Sequence, residues 1–553
     1  MTPVQPADLV LTGGAVFTVD ALRRHAEAVA VRDGRITFVG GAREARDHVG
    51  PRTRVVDLRG RTLLPSFQDA HVHPVMAGIN LARCPLHELD RRLDVYLAAI
   101  REAAARQQAA GSEWILGDGW YMEAFPGGTP SRRALDRVTG GRPAFFVNRD
   151  GHGAWVNSAA LARAGITRDT PDPVSGRIER EPDGEPQGTL HEGAMELVRR
   201  FIPEPTTEEL AHGLELAQAY LHRLGISAWQ DAWVRPEDMA AYRLLAERGR
   251  LTARAVACQW WERDRGGEQI DEMVERRDAN HIGRLDPGTV KIMQDGVAEN
   301  YTAAMLHDYR DAAGGPTGNH GISFVEPEAL KAHVTRFDAL GFQVHVHALG
   351  DRAVREALDA IEAARIANGP TDGRHHLAHL QVVDPADIPR FRRLGVAANV
   401  QPYWACNDAQ MLDLTRPFLP PDRYTLQYPI RDLHRSGAIM AGGSDWSVST
   451  PDVMKEIEVA VTHVSPELRD REPFLPEQRI DLPEALAMFT IGTAWVNHLD
   501  DRTGTIEVGK LADLAVLDRD IFAPDAGHLG DVRVLLTLVE GDVVHEDPGL
   551  ERA

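Results

Sequence analysis

Lysine is nearly missing from this chain: its 61 basic residues comprise 57 arginines and four lysines, at positions 291, 331, 455 and 510. Each lysine therefore raises the question of why arginine does not serve there. Cysteine is scarce too. Cys84, Cys258 and Cys406 are odd in number, widely spaced and lack a C-x-x-C pair, which excludes a disulfide scaffold and a cysteine zinc or redox motif. A reducing compartment follows. No run of 18 apolar residues occurs, and the start of the chain lacks a basic segment leading into an apolar one, so neither a membrane span nor a secretory signal is expected. The expectation is a cytoplasmic protein. Net positive charge is absent as well: 82 acidic residues leave a formal charge of −21 and a pI near 5.5, which disfavours nucleic acid and acidic membranes as partners. There is no G-x-G-x-x-G or G-x-x-x-x-G-K-[ST] loop to cradle a phosphate. Ser158 and Ser444 lie outside any G-x-S-x-G elbow, which argues against a serine hydrolase.

What is present is the balance of a globular protein, with 43% hydrophobic and 26% charged residues over 553 positions. The first sixty residues read as short strands punctuated by Gly13-Gly14, Asp33-Gly34 and Gly40-Gly41, and the last fifty read likewise around a Gly541-Asp542 turn. Neither end is long enough for a good core, so the two are expected to pair into a composite β-sandwich, from residues 1–62 and 501–553. Between them, apolar runs alternate with helical patterns. LLPSFQDAHVH, ISAWQDA, TARAVACQW, TVKIMQDG, FQVHVHALGD, HHLAHLQ, GVAANVQP and IMAGGSDW make eight strands. That repetition predicts an α/β fold, a distorted (β/α)8 TIM barrel over 63–500 with a large insertion at about 75–210 after the first barrel strand.

His71 and His73 alternate with Val72 at the end of the first strand and so share a face. His347, His379 and Asp445 each fall late in a different barrel strand, and in a parallel barrel those ends form one rim. Several histidines with a carboxylate make a divalent-metal site suited first to zinc, then to manganese, iron or cobalt. Lys291 sits in an apolar strand, where burial favours the neutral amine that arginine cannot supply. A neutral amine can take up carbon dioxide as a carbamate and present two ligand oxygens. The competing reading is a lysine paired with a carboxylate such as Asp295.

D-A-H-V-H-P at 69–74, the strand lysine, H-A-L-G-D at 347–351, R-H-x-x-x-H-x-Q at 374–381, G-S-D at 443–445 and G-T-I-E-V-G-K-L-A-D-L-A-V-L at 504–517 resemble the amidohydrolase superfamily. D-G-H-G-A-W-V-N-S-A-A-L at 150–161 narrows the resemblance to amidohydrolase family 3, the metal-dependent hydrolases that include N-substituted formamide deformylase. The resemblance implies one or two zinc ions: His71 and His73 on a buried metal, His347 and His379 on an outer one, carboxylated Lys291 bridging, and Asp445 as both ligand and proton carrier. Two positions depart from the family pattern. Ala378 stands where glutamate is frequent, and the loop after Lys291 lacks the serine common after Asp-Gly.

The expected activity is hydrolysis of a linear, non-peptide amide or formamide C–N bond, a deacylase reaction driven by metal-activated water. His152, Trp155, Tyr403, Trp404 and Trp446 are the residues expected to bind an apolar or aromatic N-acyl substrate. A small molecule is thus the expected partner, with a homodimer left open. Alternatives are a cyclic amide hydrolase or a deaminase of the same superfamily, Lys291 favouring a bridged metal pair over the single-metal deaminase arrangement, and a non-catalytic amidohydrolase-like scaffold, against which the six filled ligand positions argue.

Overall fold

A computed structural model describes residues 5–551 apart from 87–88, 110, 150, 152, 174–175 and 312. The chain divides into two compact units, Met1–Pro74 with Gln218–Ala553, and Val75–Ala217.

The larger unit is built around eight parallel strands, numbered here by their place in the barrel: β1 (Phe67–Val72), β2 (Ile226–Val234), β3 (Arg254–Trp260), β4 (Leu285–Met293), β5 (Gln343–Ala348), β6 (His376–His379), β7 (Ala397–Val400) and β8 (Ile439–Gly442). They pair in sequence order from β1 to β8. Parallel strands covered on both faces are buried along their length, and here their outward positions are mostly apolar while several lumen positions carry glutamine, aspartate or histidine. The segment after β8 returns to β1: the amide of Asp445 donates to the carbonyl of His71 at 2.7 Å, and that of His73 to Trp446 at 2.7 Å. The sheet is thereby a nearly closed barrel. A side chain at Gly443 would put a Cβ 2.7 Å from both the amide nitrogen and the Cβ of His71, so only glycine lets these two segments approach so closely.

Crossover helices cover the outside. Helix Asp351–Asn368 buries Ala353, Val354, Ala357, Leu358, Ala360, Ile361 and Ala364, a stripe of helical period, and ends at Gly369 with φ of 82°. Inside, the lumen departs from the usual apolar filling of such barrels. Gln230, Thr289, Lys291, Gln343 and His345 are all buried, and register places Thr289 beside Gln343 and Lys291 beside His345.

The two chain ends share a second sheet. Thr62–Pro65 lies parallel to Leu9–Phe17 on one side and antiparallel to Leu514–Leu517 on the other. Leu11, Val16, Val29 and Leu63 from the first sixty residues bury with Leu514, Val516, Leu536 and Leu538 from the last forty. The smaller unit carries a five-stranded sheet, in the order Gly176–Arg180, Pro186–Glu192, Gly153–Val156, Ala144–Asn148, Ile115–Trp120. Among the described residues no helix is long and apolar enough to cross a membrane.

His222 is a buried histidine held neutral. Its Nδ1–H donates to the Ile226 carbonyl at 2.9 Å, its Nε2 accepts from the Thr252 hydroxyl at 2.8 Å, and burial lowers its pKa to about 4. The unfolded chain takes the proton near pH 6.5 and the folded one resists it, so stability present above pH 6.5 is lost as pH falls toward 4, by up to about 3 kcal/mol. In urea unfolding measured at successive pH values, His222→Gln should show a shallower decline over that window than the unsubstituted protein.

Candidate metal centre

Three of the six ligand candidates converge closely: His71, His379 and Asp445 each offer a ligand atom within 4.8 Å of the others, and all three are buried. The remaining three adjoin them. His73 Nε2 lies 2.9 Å from Asp445 Oδ1, Lys291 Nζ lies 3.4 Å from His71 Nε2, and the His347 ring sits edge-on to that of His379 with centroids 4.5 Å apart. His71 and His73 reach the cluster from β1 and the residue following it. Lys291 comes from β4, His347 from β5, His379 from the last position of β6, and Asp445 from three residues beyond β8.

This convergence costs backbone strain. His379 (φ 79°) and Asp445 (φ 55°) both adopt positive φ, a conformation that costs a non-glycine residue roughly 1–3 kcal/mol and persists only where neighbours enforce it. Asp69 supplies part of that enforcement. One carboxylate oxygen accepts from the amides of His71 and Ser444, each at 3.0 Å, and the other from the Ser444 hydroxyl at 2.5 Å, tying the end of β1 to the turn that carries Asp445. Burial raises the Asp69 pKa to about 7 against the pull of those hydrogen bonds.

Burial also governs the rings. It pushes the pKa values of His71 and His379 well below the ordinary histidine value, so both offer unprotonated nitrogens. Lys291 is lowered to about 8 by desolvation, opposed chiefly by the Asp445 charge. Asp295, the alternative partner for Lys291, is engaged elsewhere. One of its oxygens accepts from His347 Nδ1–H and the Leu349 amide, both at 3.1 Å, and the other from the amides of Ala304 and Gly350 at 2.9 and 2.8 Å. With its proton held on Nδ1 in this way, His347 has its Nε2 lone pair available to a cation.

The donor set suits a divalent cation. His71 Nε2 and Asp445 Oδ1, both acceptors when unprotonated, sit 3.5 Å apart, and the buried Nδ1 of His379 has no hydrogen-bond partner among the described residues. Two lone pairs facing each other in a desolvated site repel unless a cation or proton lies between them, and imidazole with carboxylate is the ligand chemistry of zinc. His376, also in the lumen, presents the opposite polarity. The Asn399 amide donates to its Nδ1 at 3.2 Å and to the Ala70 carbonyl, which leaves the His376 proton on Nε2.

Against this geometry, an amidohydrolase family model matches residues 54–545. The chain belongs to the amidohydrolase family. Over its length this amidohydrolase is similar to Protein LONG AFTER FAR-RED 3 of Arabidopsis thaliana, at 31% identity covering 97% of this chain and 91% of that protein. It is also similar to N-substituted formamide deformylase of Arthrobacter pascens, at 28% identity covering 99% of both. The fold resembles the crystal structure of an uncharacterized metal-dependent hydrolase from Pyrococcus horikoshii, with TM-score 0.73 and 23% identity, covering 94% of this chain and 99% of that one.

The expected substrate residues scatter. Trp155 lies in the core of the smaller unit, its ring against Phe125 and Phe146 and its indole N–H on the Ser131 carbonyl at 3.0 Å; it is wholly buried by that packing. His152 is outside the described residues. Tyr403 donates its hydroxyl to Glu467 at 2.7 Å, and Trp446 is buried against Tyr220. Trp404 stacks parallel to His379, with centroids 5.4 Å apart. Two tryptophans beside the site went unread in the sequence: Trp233 lies edge-on to His73 and packs on Trp260, and is 42% exposed. They close strands whose apolar character hides them. Asp69 and His345 were legible only through spacing, since each lies two residues before a candidate ligand and shares its face.

Asp295→Ala should weaken zinc binding about 10–100-fold by freeing the His347 ring, as loss of a ligand's hydrogen-bond partner commonly does. Competition with a chromophoric chelator measures this directly.

Proposed function

We propose that this amidohydrolase is a metal-dependent hydrolase that cleaves a linear, non-peptide C–N bond of an amide or formamide bearing an apolar or aromatic group. The observation that carries the reading is the convergence of His71, His379 and Asp445, with His73, Lys291 and His347 beside them, at the carboxyl ends of the barrel strands. A divalent cation held there, with zinc favoured by the donors, would act as a Lewis acid and make water nucleophilic at neutral pH.

The chain's own groups do the rest. Asp445 is buried beside the histidines, and its carboxylate would take a proton from the attacking water and return it to the departing nitrogen. The balance is water plus amide giving a carboxylic acid and an amine. Burial draws the Lys291 pKa down to about 8 and so favours the neutral amine, which could combine with carbon dioxide, release a proton and leave a carbamate with two oxygens able to hold a cation. The exposed indole of Trp233, backed by Trp260 and next to His73, offers an apolar wall for the acyl or amine substituent. Similarity to N-substituted formamide deformylase agrees with this chemistry.

Asp445→Asn should lower kcat by about 10²–10⁴-fold while leaving the thermal midpoint nearly unchanged, since asparagine tolerates positive φ. Lys291→Ala should be as inactive, and near-normal turnover in either variant would contradict the assigned roles. An amine-release screen across formamides, acetamides, aryl amides and cyclic imides should be won by a linear substrate with an apolar substituent; a cyclic imide as winner overturns the linear reading. Treatment with 1,10-phenanthroline should abolish activity and added zinc restore it, and turnover surviving verified metal removal counts against a metal mechanism.

A further inference from the structure

The lumen beneath the cluster holds a hydrogen-bond chain whose polarity is dictated from the amino ends of the strands. At its foot Gln343, the first residue of β5, directs its side-chain nitrogen at two backbone carbonyls, of Arg374 at 2.9 Å and Val496 at 2.8 Å. Carbonyl oxygens only accept, so this amide cannot be turned over without facing oxygen to oxygen twice in a buried site. Gln343 Oε1 is therefore the acceptor, and it receives Gln230 Nε2 and the Thr289 hydroxyl, each at 2.8 Å. That fixes Gln230 in turn, leaving its Oε1 3.1 Å from His345 Nδ1, with the Cys258 thiol also donating to it at 3.3 Å. His345 must carry its proton on Nδ1 and keep a lone pair on Nε2. The latter lies 3.0 Å from His71 Nδ1, which must then be the protonated nitrogen of His71. Every link from Gln343 to His71 is buried.

We propose that Gln343, Gln230 and His345 are positioning residues that lock His71 in the Nδ1–H tautomer, so that its Nε2 lone pair faces the metal site. The inference rests on the metal-site reading and adds residues that touch neither substrate nor cation. Lys291 Nζ, 3.4 Å from His71 Nε2, agrees with it, because an amine N–H there needs a lone pair to point at. A purely structural network would need only satisfied partners. This one also has a direction, set by two main-chain carbonyls where the strands begin.

The test separates polarity from packing. In the full chain, Gln230→Leu removes the acceptor that holds His345, while Gln230→Glu keeps it. Zinc affinity, read by chelator competition, should fall about 10–100-fold in Gln230→Leu and in His345→Phe, and stay within about threefold of the unsubstituted protein in Gln230→Glu. Folding stability in urea should rank the other way for the two Gln230 variants, because glutamate places an ionisable group in the lumen. Gln230→Leu binding zinc at full strength, or affinity that simply tracks stability, overturns the proposal. The ring-nitrogen NMR spectrum of metal-free, histidine-labelled protein decides the case without relying on core variants. With His71 assigned from the spectrum of His71→Gln, its proton is expected on Nδ1, and a proton on Nε2 overturns the proposal. If the unsubstituted protein binds no zinc, the metal-site reading fails, while this spectrum still reports whether the chain has the stated polarity.

Discussion

The join between β1 and the segment after β8 is the constraint on which the rest depends. Two backbone hydrogen bonds, between Asp445 and His71 and between His73 and Trp446, replace a regular ladder there. Gly443 permits the approach, and Asp69 clamps both sides through the Ser444 amide and hydroxyl. Without that join, Asp445 would not face His71 and His73, and the rim would carry histidines with no carboxylate. The positive φ of Asp445 is the local cost of turning its side chain back over β1.

A second consequence of the fold is electrostatic. Removing water from so many titratable groups suppresses charge: His71, His345, His376 and His379 are all held neutral by burial, and Lys291 is drawn down toward neutrality. Neutral imidazoles are ambiguous objects, each able to present a proton or a lone pair on either nitrogen. The lumen resolves the ambiguity residue by residue. Asn399 turns His376 away from a ligand's role, Asp295 fixes His347, and the glutamine chain fixes His71. A lumen filled with valine and leucine would be easier to pack and would leave the tautomers to chance.

Much of this was legible in the sequence. The eight barrel strands could be read because short runs rich in apolar residues alternate with helical patterns along the chain, and the ligand candidates could be read because they fall late in such runs. Lys291 stood out against 57 arginines. What Asp295 bonds to was not legible, because hydrogen bonding beyond a strand end depends on turns that periodicity does not describe. Asp295, four residues beyond Lys291, was the competing partner for that lysine, and the chain after β4 carries it instead to His347 and the amides of residues 349 and 350. Trp155 was misjudged for a similar reason. A tryptophan in a loop-rich stretch is ambiguous until its neighbours are known, and here Phe125 and Phe146 enclose it. Trp233 went unread because it is next to last in a strand that is otherwise buried throughout.

The sheet shared by the two chain ends has a consequence for biosynthesis. Thr62–Pro65 leaves the ribosome some 450 residues ahead of its antiparallel neighbour Leu514–Leu517, which at ~5–20 residues per second is a wait of roughly 20–90 s. Throughout that interval a short strand that the finished fold buries completely presents an open edge, the kind of surface that recruits another nascent chain. Loss of even the final fifty residues would make that exposure permanent, so C-terminal truncation is a hazard to solubility well before it touches the metal site.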